Sequence, residues 1–347
     1  MINNEDLKVL LVDDSSVITL ALERIINSQP DMRVMGVATD PYEAVSIIKS
    51  QIPDVIILDI QMPKMDGLTF LGKIMKQHPI PVVVFSSVAQ AGSKNAMLAL
   101  RLGAVSVLPK PEKVIANKQF HHELIQSIKE AYAAKDKLAR MSAKTPFTVI
   151  SADRKRVNQT PTRKIIAIGA STGGTAALQY LLPKLHHDIP GLVIVQHMPG
   201  DFTRWFAEGL NRTTIIKVQE AEAGAVVCRG NAYIANGFFH LKVKNRANQF
   251  VLSLQDGKEV NRHKPSVDVL FNSLAETAGD RGIGILLTGM GDDGAKGLLN
   301  MKKVGAVTIA QDQNSSIVYG MPREAVKLGA AKYILSLDEI VSFINNS

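Results

Sequence analysis

Short runs of β-branched and apolar residues, separated by amphipathic stretches, constrain this 347-residue chain more than any other feature. In the first 125 residues the runs are Val9–Val12, Val34–Val37, Val55–Leu58, Val82–Phe85 and Val105–Leu108. Runs this short and this uniformly apolar read as strands buried on both faces, which is the pattern of a parallel sheet. Helical patterns such as Ser16–Asn27 and Pro41–Ser50 fill the gaps. Repeated strand–helix units predict a doubly wound sheet of five parallel strands over residues 5–125. From residue 126 to 161 the sequence continues a helix and then loses any steady period, as expected of a helical, basic linker.

A second alternation begins at Lys164. Strands are expected at Ile165–Gly169, Leu192–Gln196, Ile215–Glu220, Ala232–Ala235, Leu241–Lys244, Phe250–Leu254, Ile283–Leu287 and Val307–Ala310. Helices are expected at Thr175–Leu185, Asp201–Asn211, Val267–Ala278, Ala295–Val304 and Pro322–Leu328. Residues 162–347 therefore read as a second α/β domain, with a mostly parallel sheet and an antiparallel hairpin portion in the middle.

The net charge of +8 invites a nucleic-acid reading, but its distribution argues against one. Residues 1–125 carry −1, residues 126–164 carry +7 and residues 165–347 carry +2. The excess sits in the connecting segment, where a charge run is ordinarily solvated, and neither domain presents a basic footprint. One cysteine, Cys228, excludes a disulfide framework and a thiolate zinc site. No apolar run approaches the roughly 18 residues of a membrane span. The acidic start, Met1 to Asp6, lacks the apolar stretch of a signal peptide, so a soluble cytoplasmic protein is expected.

The first domain places chemistry at its strand ends. Asp13 and Asp14 follow the first strand, Asp59 ends the third, Ser86 ends the fourth and Lys110 follows the fifth. Groups at the carboxyl ends of parallel strands converge in one crevice. Three close carboxylates repel unless a cation neutralises them, and Mg²⁺ suits carboxylate oxygens while keeping room for water and phosphate. Asp59 then reads as a carboxylate nucleophile toward a phosphoryl group, with Lys110 and Ser86 holding phosphoryl oxygens. A single strand-end Asp more often caps a helix, but four such ends together favour a site.

In the second domain, Ile165–Thr175 reads as a strand, a tight glycine turn and a helix start that leave the Ser171 hydroxyl uncrowded. The helix N-terminus offers free N–H groups to a developing anion. Of eight histidines, His197 alone ends an apolar strand, Leu192–Gln196, beside the Ser171 strand. His240 and His263 are less favourably placed but stay open. Leu286–Gly294 delivers two aspartates, Asp292 and Asp293, after a further strand, as candidates to orient the imidazole. The order Ser…His…Asp differs from the Ser…Asp…His of α/β-hydrolases. A phosphate-cradling turn is the competing reading of Gly169–Gly174. It lacks the acidic ribose ligand expected about 20 residues on, near Pro190-Gly191.

These motifs resemble two known families. Residues 5–125 resemble the response-regulator receiver domain through Asp13-Asp14, Asp59 in Leu58-Asp59-Ile60-Gln61-Met62-Pro63, Asp66-Gly67, Ser86 and Lys110-Pro111. The resemblance implies a flavodoxin-like domain phosphorylated on Asp59 by a chemotaxis histidine kinase. It also implies that the Gln61 backbone carbonyl joins Asp13, Asp14 and Asp59 as a Mg²⁺ ligand. Val107 stands where many receivers carry an aromatic residue. The second domain resembles the catalytic domain of the chemotaxis protein-glutamate methylesterases. The matching motifs are Gly169–Gly174, Val195–Pro199, Pro265–Phe271 and Leu287–Gly294.

That resemblance implies Ser171 as nucleophile, His197 as general base and Asp293, in preference to Asp292, as its orienting acid. It also puts Thr172 and the Met290 backbone near the oxyanion. It implies hydrolysis of methyl esters on glutamates of chemoreceptor cytoplasmic helices, deamidation of receptor glutamines and no cofactor for the ester step. The receiver is expected to gate the esterase until Asp59 is phosphorylated. No nucleic-acid partner and no membrane insertion are expected. The alternatives are a receiver-controlled serine esterase or amidase acting on another acyl group, and a non-enzymatic output module.

Overall fold

The computed structural model of the chain describes residues 6–62, 64–86, 90–111, 114, 117–141 and 160–347. The chain divides into two compact units, Met1–Pro146 and Phe147–Ser347.

The first unit runs β1 (Leu7–Val12), α1 (Ser16–Asn27), β2 (Met32–Ala38), α2 (Pro41–Ser50), β3 (Val55–Asp59), α3 (Gly67–Gln77), β4 (Val82–Ser86), α4 (Gln90–Arg101), β5 (Ser106–Pro109) and α5 (Lys118–Met141). The five strands pair in parallel in the order β2-β1-β3-β4-β5. The apolar runs form the strands because both faces are covered, and every residue of β3 and β4 is buried. Ser15, Asp40 and Asp66 cap α1, α2 and α3 by accepting first-turn N–H bonds. Capping is thus done by residues other than Asp13, Asp14 and Asp59. Helix α5 continues past residue 126, where the linker was expected to begin, because Leu124, Ile128, Ala131 and Ala134 form a fully buried face. Residues 142–159 of the expected linker lie outside the described residues.

The second unit runs β6 (Ile165–Ala170), α6 (Gly174–Leu181), β7 (Gly191–Gln196), α7 (Gly200–Asn211), β8 (Lys217–Glu220), β9 (Asn231–Ile234), β10 (His240–Arg246), β11 (Gln249–Gln255), α8 (Val267–Thr277), β12 (Gly282–Leu286), α9 (Ala295–Lys303), β13 (Val307–Gln311), α10 (Met321–Lys327), β14 (Tyr333–Leu335) and α11 (Leu337–Asn345). Seven strands pair in parallel in the order β14-β13-β12-β6-β7-β9-β8, and β10 and β11 form the antiparallel hairpin. The core includes Ile165, Val193, Val267, Phe271 and Leu298, between the sheet and helices α8 and α9.

Three elements of this unit differ from the sequence reading. The helix expected over Thr175–Leu185 stops at Leu181, and a 3₁₀ turn at Leu182–Lys184 contains Pro183, which has no N–H to continue the ladder. Strand β14 and helix α11 were not anticipated. Tyr333 and Ile334 are exposed on an edge strand, so no buried run announces it. Among the described residues, no helix is long and apolar enough to cross a membrane.

Candidate active site

The sheet order reverses at β6. β7 lies on one side and β12, much later in the chain, lies on the other. Ligands of open α/β sheets bind in the crevice at such a switch point, beyond the strand carboxyl ends. Ser171 follows β6 there, and the loop Thr288–Gly294 follows β12.

The register makes Ser171 and His197 neighbours. Ala170 pairs with Gln196, and the His197 N–H donates to the Ala170 carbonyl at 2.9 Å. The next residue on each chain therefore emerges side by side, across a strand spacing of about 4.8 Å. Ser171 is buried, and its own N–H donates to the Thr288 carbonyl at 3.0 Å. Buried Gln196 ties the two ends together, since its Nε2 donates to the carbonyls of Ser171 and His197, each at 3.0 Å. The turn after Ser171 needs Gly173, which has φ +77° and where an added Cβ would lie only 2.5 Å from Ile317 Cβ.

The two aspartates separate cleanly. Asp292 is exposed, whereas Asp293 is 1% exposed with Oδ2 2.9 Å from His197 Nε2. Asp293 also accepts from Asn261 Nδ2 (2.8 Å), Ser266 Oγ (2.8 Å), Val267 N (2.7 Å) and Asp268 N (3.2 Å). The last two N–H groups belong to the first turn of α8, so the carboxylate sits on a helix N-terminus, where negative charge is favoured. Burial pushes the Asp293 carboxyl up, but the donors and His197 outweigh it and hold the group far below the ordinary carboxylate range. Its neighbour Asp268 goes the other way. Burial raises it, and Asn261 Nδ2 and the Gly297 N–H are its counterweights. The second ring nitrogen of His197, Nδ1, is buried and makes no hydrogen bond among the described residues. With Nε2 on Asp293, Nδ1 is the position left to receive a proton from a hydroxyl on the neighbouring strand.

The loop that carries Asp293 also closes on the serine. A Cβ built on Gly289 would lie 2.7 Å from Ser171 Cβ and 2.2 Å from Met321 Sδ. Thr288 Oγ1 donates to the Thr172 carbonyl at 2.9 Å. Thr172 follows Ser171 directly, and Met290 follows Gly289 in the loop that closes on it.

His263 is closer to this site than its place in the sequence suggests. Its ring stacks on His197 with centroids 3.7 Å apart and planes 14° apart. His240 lies outside the stack, where its Nε2 meets the Lys258 carbonyl at 2.9 Å and its Nδ1 accepts from the Ser266 N–H at 3.2 Å. The contributions of Gln196, Asn261 and Ser266 were not anticipated, and His263, left open as an alternative base, lies stacked on the His197 ring. For Ser266 a signal was present, a serine directly before an apolar helical run, as at an N-cap.

In the first unit the predicted residues also meet. Oxygens of Asp13, Asp14 and Asp59 lie within 4.8 Å of one another, with Asp13 and Asp59 buried and Asp14 exposed. Lys110 Nζ is 2.7 Å from Asp59 and 2.9 Å from Asp13. The Lys110 N–H donates to the carbonyl of Ser86, which is itself buried. Burial pushes the Asp59 carboxyl up, and the hydrogen bond from Lys110 pulls against it. Gln61 follows on the exposed loop, its N–H 3.3 Å from Asp59 Oδ1. Hard oxygen donors crowded around more negative charge than one ammonium neutralises fit a divalent cation such as Mg²⁺.

Fold and side chains together define a class, an α/β domain with a receiver-type acidic rim followed by an α/β domain with serine-hydrolase side chains. Residues 166–344 match the CheB methylesterase family and residues 9–124 match the response regulator receiver domain. A protein-glutamate methylesterase/protein-glutamine glutaminase of Thiobacillus denitrificans is 47% identical over 341 residues, covering 96% of this chain and 94% of that protein. Another from Geobacter metallireducens is 46% identical over 347 residues, covering 96% and 97%. The crystal structure of the Thermotoga maritima CheB methylesterase catalytic domain is 38% identical, with a TM-score of 0.52, over 53% of this chain and 97% of that one. The chain belongs to the CheB methylesterase family, with a response regulator receiver domain at its N-terminal side.

Proposed function

We propose that this chain is a phosphorylation-regulated hydrolase that removes methyl esters from glutamate side chains of chemoreceptors. The observation that carries the proposal is the juxtaposition of Ser171 and His197 on adjacent strand ends, with His197 Nε2 on buried Asp293.

Ser171 Oγ attacks the γ-glutamyl ester carbonyl while His197 Nδ1 takes its proton. Asp293 stays ionised, holds the imidazole in the tautomer that leaves Nδ1 free and stabilises the imidazolium. The Thr172 and Met290 backbones line the oxyanion position. The imidazolium gives its proton to the departing methoxide, methanol leaves and water hydrolyses the acyl-serine. A glutamine side chain follows the same path with ammonia leaving. Each turnover restores a negative charge on a receptor cytoplasmic helix and biases a two-state signalling element. The ester step uses no cofactor.

Asp59 accepts a phosphoryl group from a chemotaxis histidine kinase, with Lys110 and Ser86 on the phosphoryl oxygens. Asp13, Asp14, Asp59 and the Gln61 carbonyl hold Mg²⁺, which when bound neutralises charge during transfer. The chain works in the cytoplasm, on the cytoplasmic helices of its receptors. The test is methanol release from a methyl-labelled chemoreceptor fragment, with and without a small phosphodonor. The donor is expected to raise the wild-type rate and leave Asp59→Ala unchanged, and equal stimulation of both would remove Asp59 from the regulation.

Two further outcomes follow from the geometry. Millimolar Mg²⁺ is expected to raise the melting midpoint of the wild-type receiver, because a ligand that binds only the folded state stabilises it. Thermal melts of Asp13→Asn should show little of that shift, and an unchanged shift would place the cation elsewhere. Gly289→Ala is expected to lower kcat by about 10-fold, because its methyl meets the rigid Ser171 Cβ and the nucleophile must move by a sizeable fraction of an ångström. Steady-state methanol release measures it, and an unaltered kcat would mean that the loop yields without disturbing Ser171.

A further inference from the structure

The turn Val260–His263 meets the catalytic side chains through Asn261 and His263. Val260 and His263 exchange backbone hydrogen bonds of 3.1 and 3.0 Å, which closes a two-residue turn. Both central residues are left-handed, Asn261 at φ 53° and Arg262 at φ 67°. Asparagine tolerates that conformation, but arginine has no such preference. Non-glycine residues held in this region signal a surrounding structure that over-determines them, commonly at functional sites. Two contacts hold this turn. Asn261 Nδ2 bridges Asp268 Oδ2 at 2.7 Å and Asp293 Oδ1 at 2.8 Å. Two residues on, the His263 ring lies face to face with His197 at 3.7 Å.

His197 needs such a restraint. Its ring is held by one side-chain hydrogen bond, Nε2 to Asp293, and Nδ1 makes none. One hydrogen bond fixes a point on the ring and leaves the plane free to rock about it. A rocking imidazole carries Nδ1 out of line with the Ser171 hydroxyl. A flat ring packed on its face removes that freedom and excludes water from that side.

We infer that His263 is a positioning residue for the methylesterase reaction: its ring, presented by the left-handed turn, holds the His197 imidazole in the plane that aims Nδ1 at Ser171. The inference rests on the reading of His197 as general base. It assigns His263 no proton transfer and no contact with substrate. What matters is the planar face, so phenylalanine substitutes for it and an aliphatic side chain does not. The restraint acts in the chemical step, so it moves kcat and leaves KM alone. Misplacement of a catalytic group by about 1 Å costs up to roughly 100-fold, and a rocking ring forfeits part of that.

The test uses the full chain and methanol release from a methyl-labelled chemoreceptor fragment. The variants are His263→Ala, His263→Leu and His263→Phe, with Ser171→Ala as control. His263→Ala and His263→Leu are expected to lose about 10-fold in kcat with KM unchanged, and His263→Phe to stay within about 3-fold of wild type. If the alanine variant does not fold, the leucine variant carries the comparison. A folded aliphatic variant within about 3-fold of wild type overturns the inference, and so does a phenylalanine variant as slow as the aliphatic ones. An active wild type with a silent Ser171→Ala shows that such a failure belongs to His263 alone. A Ser171→Ala chain as active as wild type removes the underlying reading instead.

Discussion

Ser171→Ala is expected to lower kcat for methyl ester hydrolysis by at least about 10³-fold, leaving KM within a few fold and the melting temperature nearly unchanged. The magnitude follows from what one oxygen atom does here. Without it no acyl-serine forms, and only binding and oxyanion stabilisation remain. The small effect on stability follows from how the residue is held. The Ser171 backbone makes the structural bonds, its N–H to Thr288 and its carbonyl to Gln196 Nε2 and the Gly174 N–H. Those bonds survive replacement of the hydroxyl by hydrogen. Steady-state kinetics beside a thermal melt reads both halves. A variant within 10-fold of wild type would mean that water attacks the ester directly, with His197 as its base.

The second large effect falls on Asp293. Asp293→Asn is expected to reduce kcat by about 10⁴-fold, the loss seen when an orienting carboxylate becomes an amide. Unlike Ser171→Ala it also destabilises the fold. Four donors besides His197 converge on this carboxylate, two of them backbone N–H groups of α8. An amide cannot accept from all of them, and buried unsatisfied donors cost about 1–3 kcal/mol each.

The pH dependence has a definite sign. Asp293 is held below its unfolded-state range, so its contribution to stability is fully present above about pH 4 and is lost as the pH falls further. Acid titration of stability should therefore be steeper in wild type than in Asp293→Asn below pH 4. The two should run parallel from pH 5 to 8. Parallel curves throughout would mean that the carboxylate is not held ionised by its donors.

The strands were legible because parallel strands are buried on both faces, and runs such as Val55–Leu58 and Leu192–Gln196 announce that burial directly. β14 was not legible, because Tyr333 and Ile334 lie exposed on an edge. Residues at strand ends, Ser171, His197 and Asp59, could be read because the topology of a parallel sheet sends every strand end to one rim. Loop chemistry was harder. Asp292 and Asp293 are identical in type and adjacent, and only the fold buries one and exposes the other. His263 was undervalued because its position depends on two left-handed residues in a tight turn, which side-chain identity at Arg262 does not suggest. Gln196 ends an otherwise apolar strand as its one amide, a signal that a buried polar group there must hold something.

The central claim is that Ser171, His197 and Asp293 work as one unit on one ester. Methanol release from a methyl-labelled chemoreceptor fragment, compared across Ser171→Ala, His197→Ala and the triple variant that adds Asp293→Ala, tests it most directly. Residues that act together lose their function together, so the triple variant is predicted to be about as slow as Ser171→Ala alone. Losses that multiply from one variant to the next would contradict the account, because they would mean that the three side chains contribute independently.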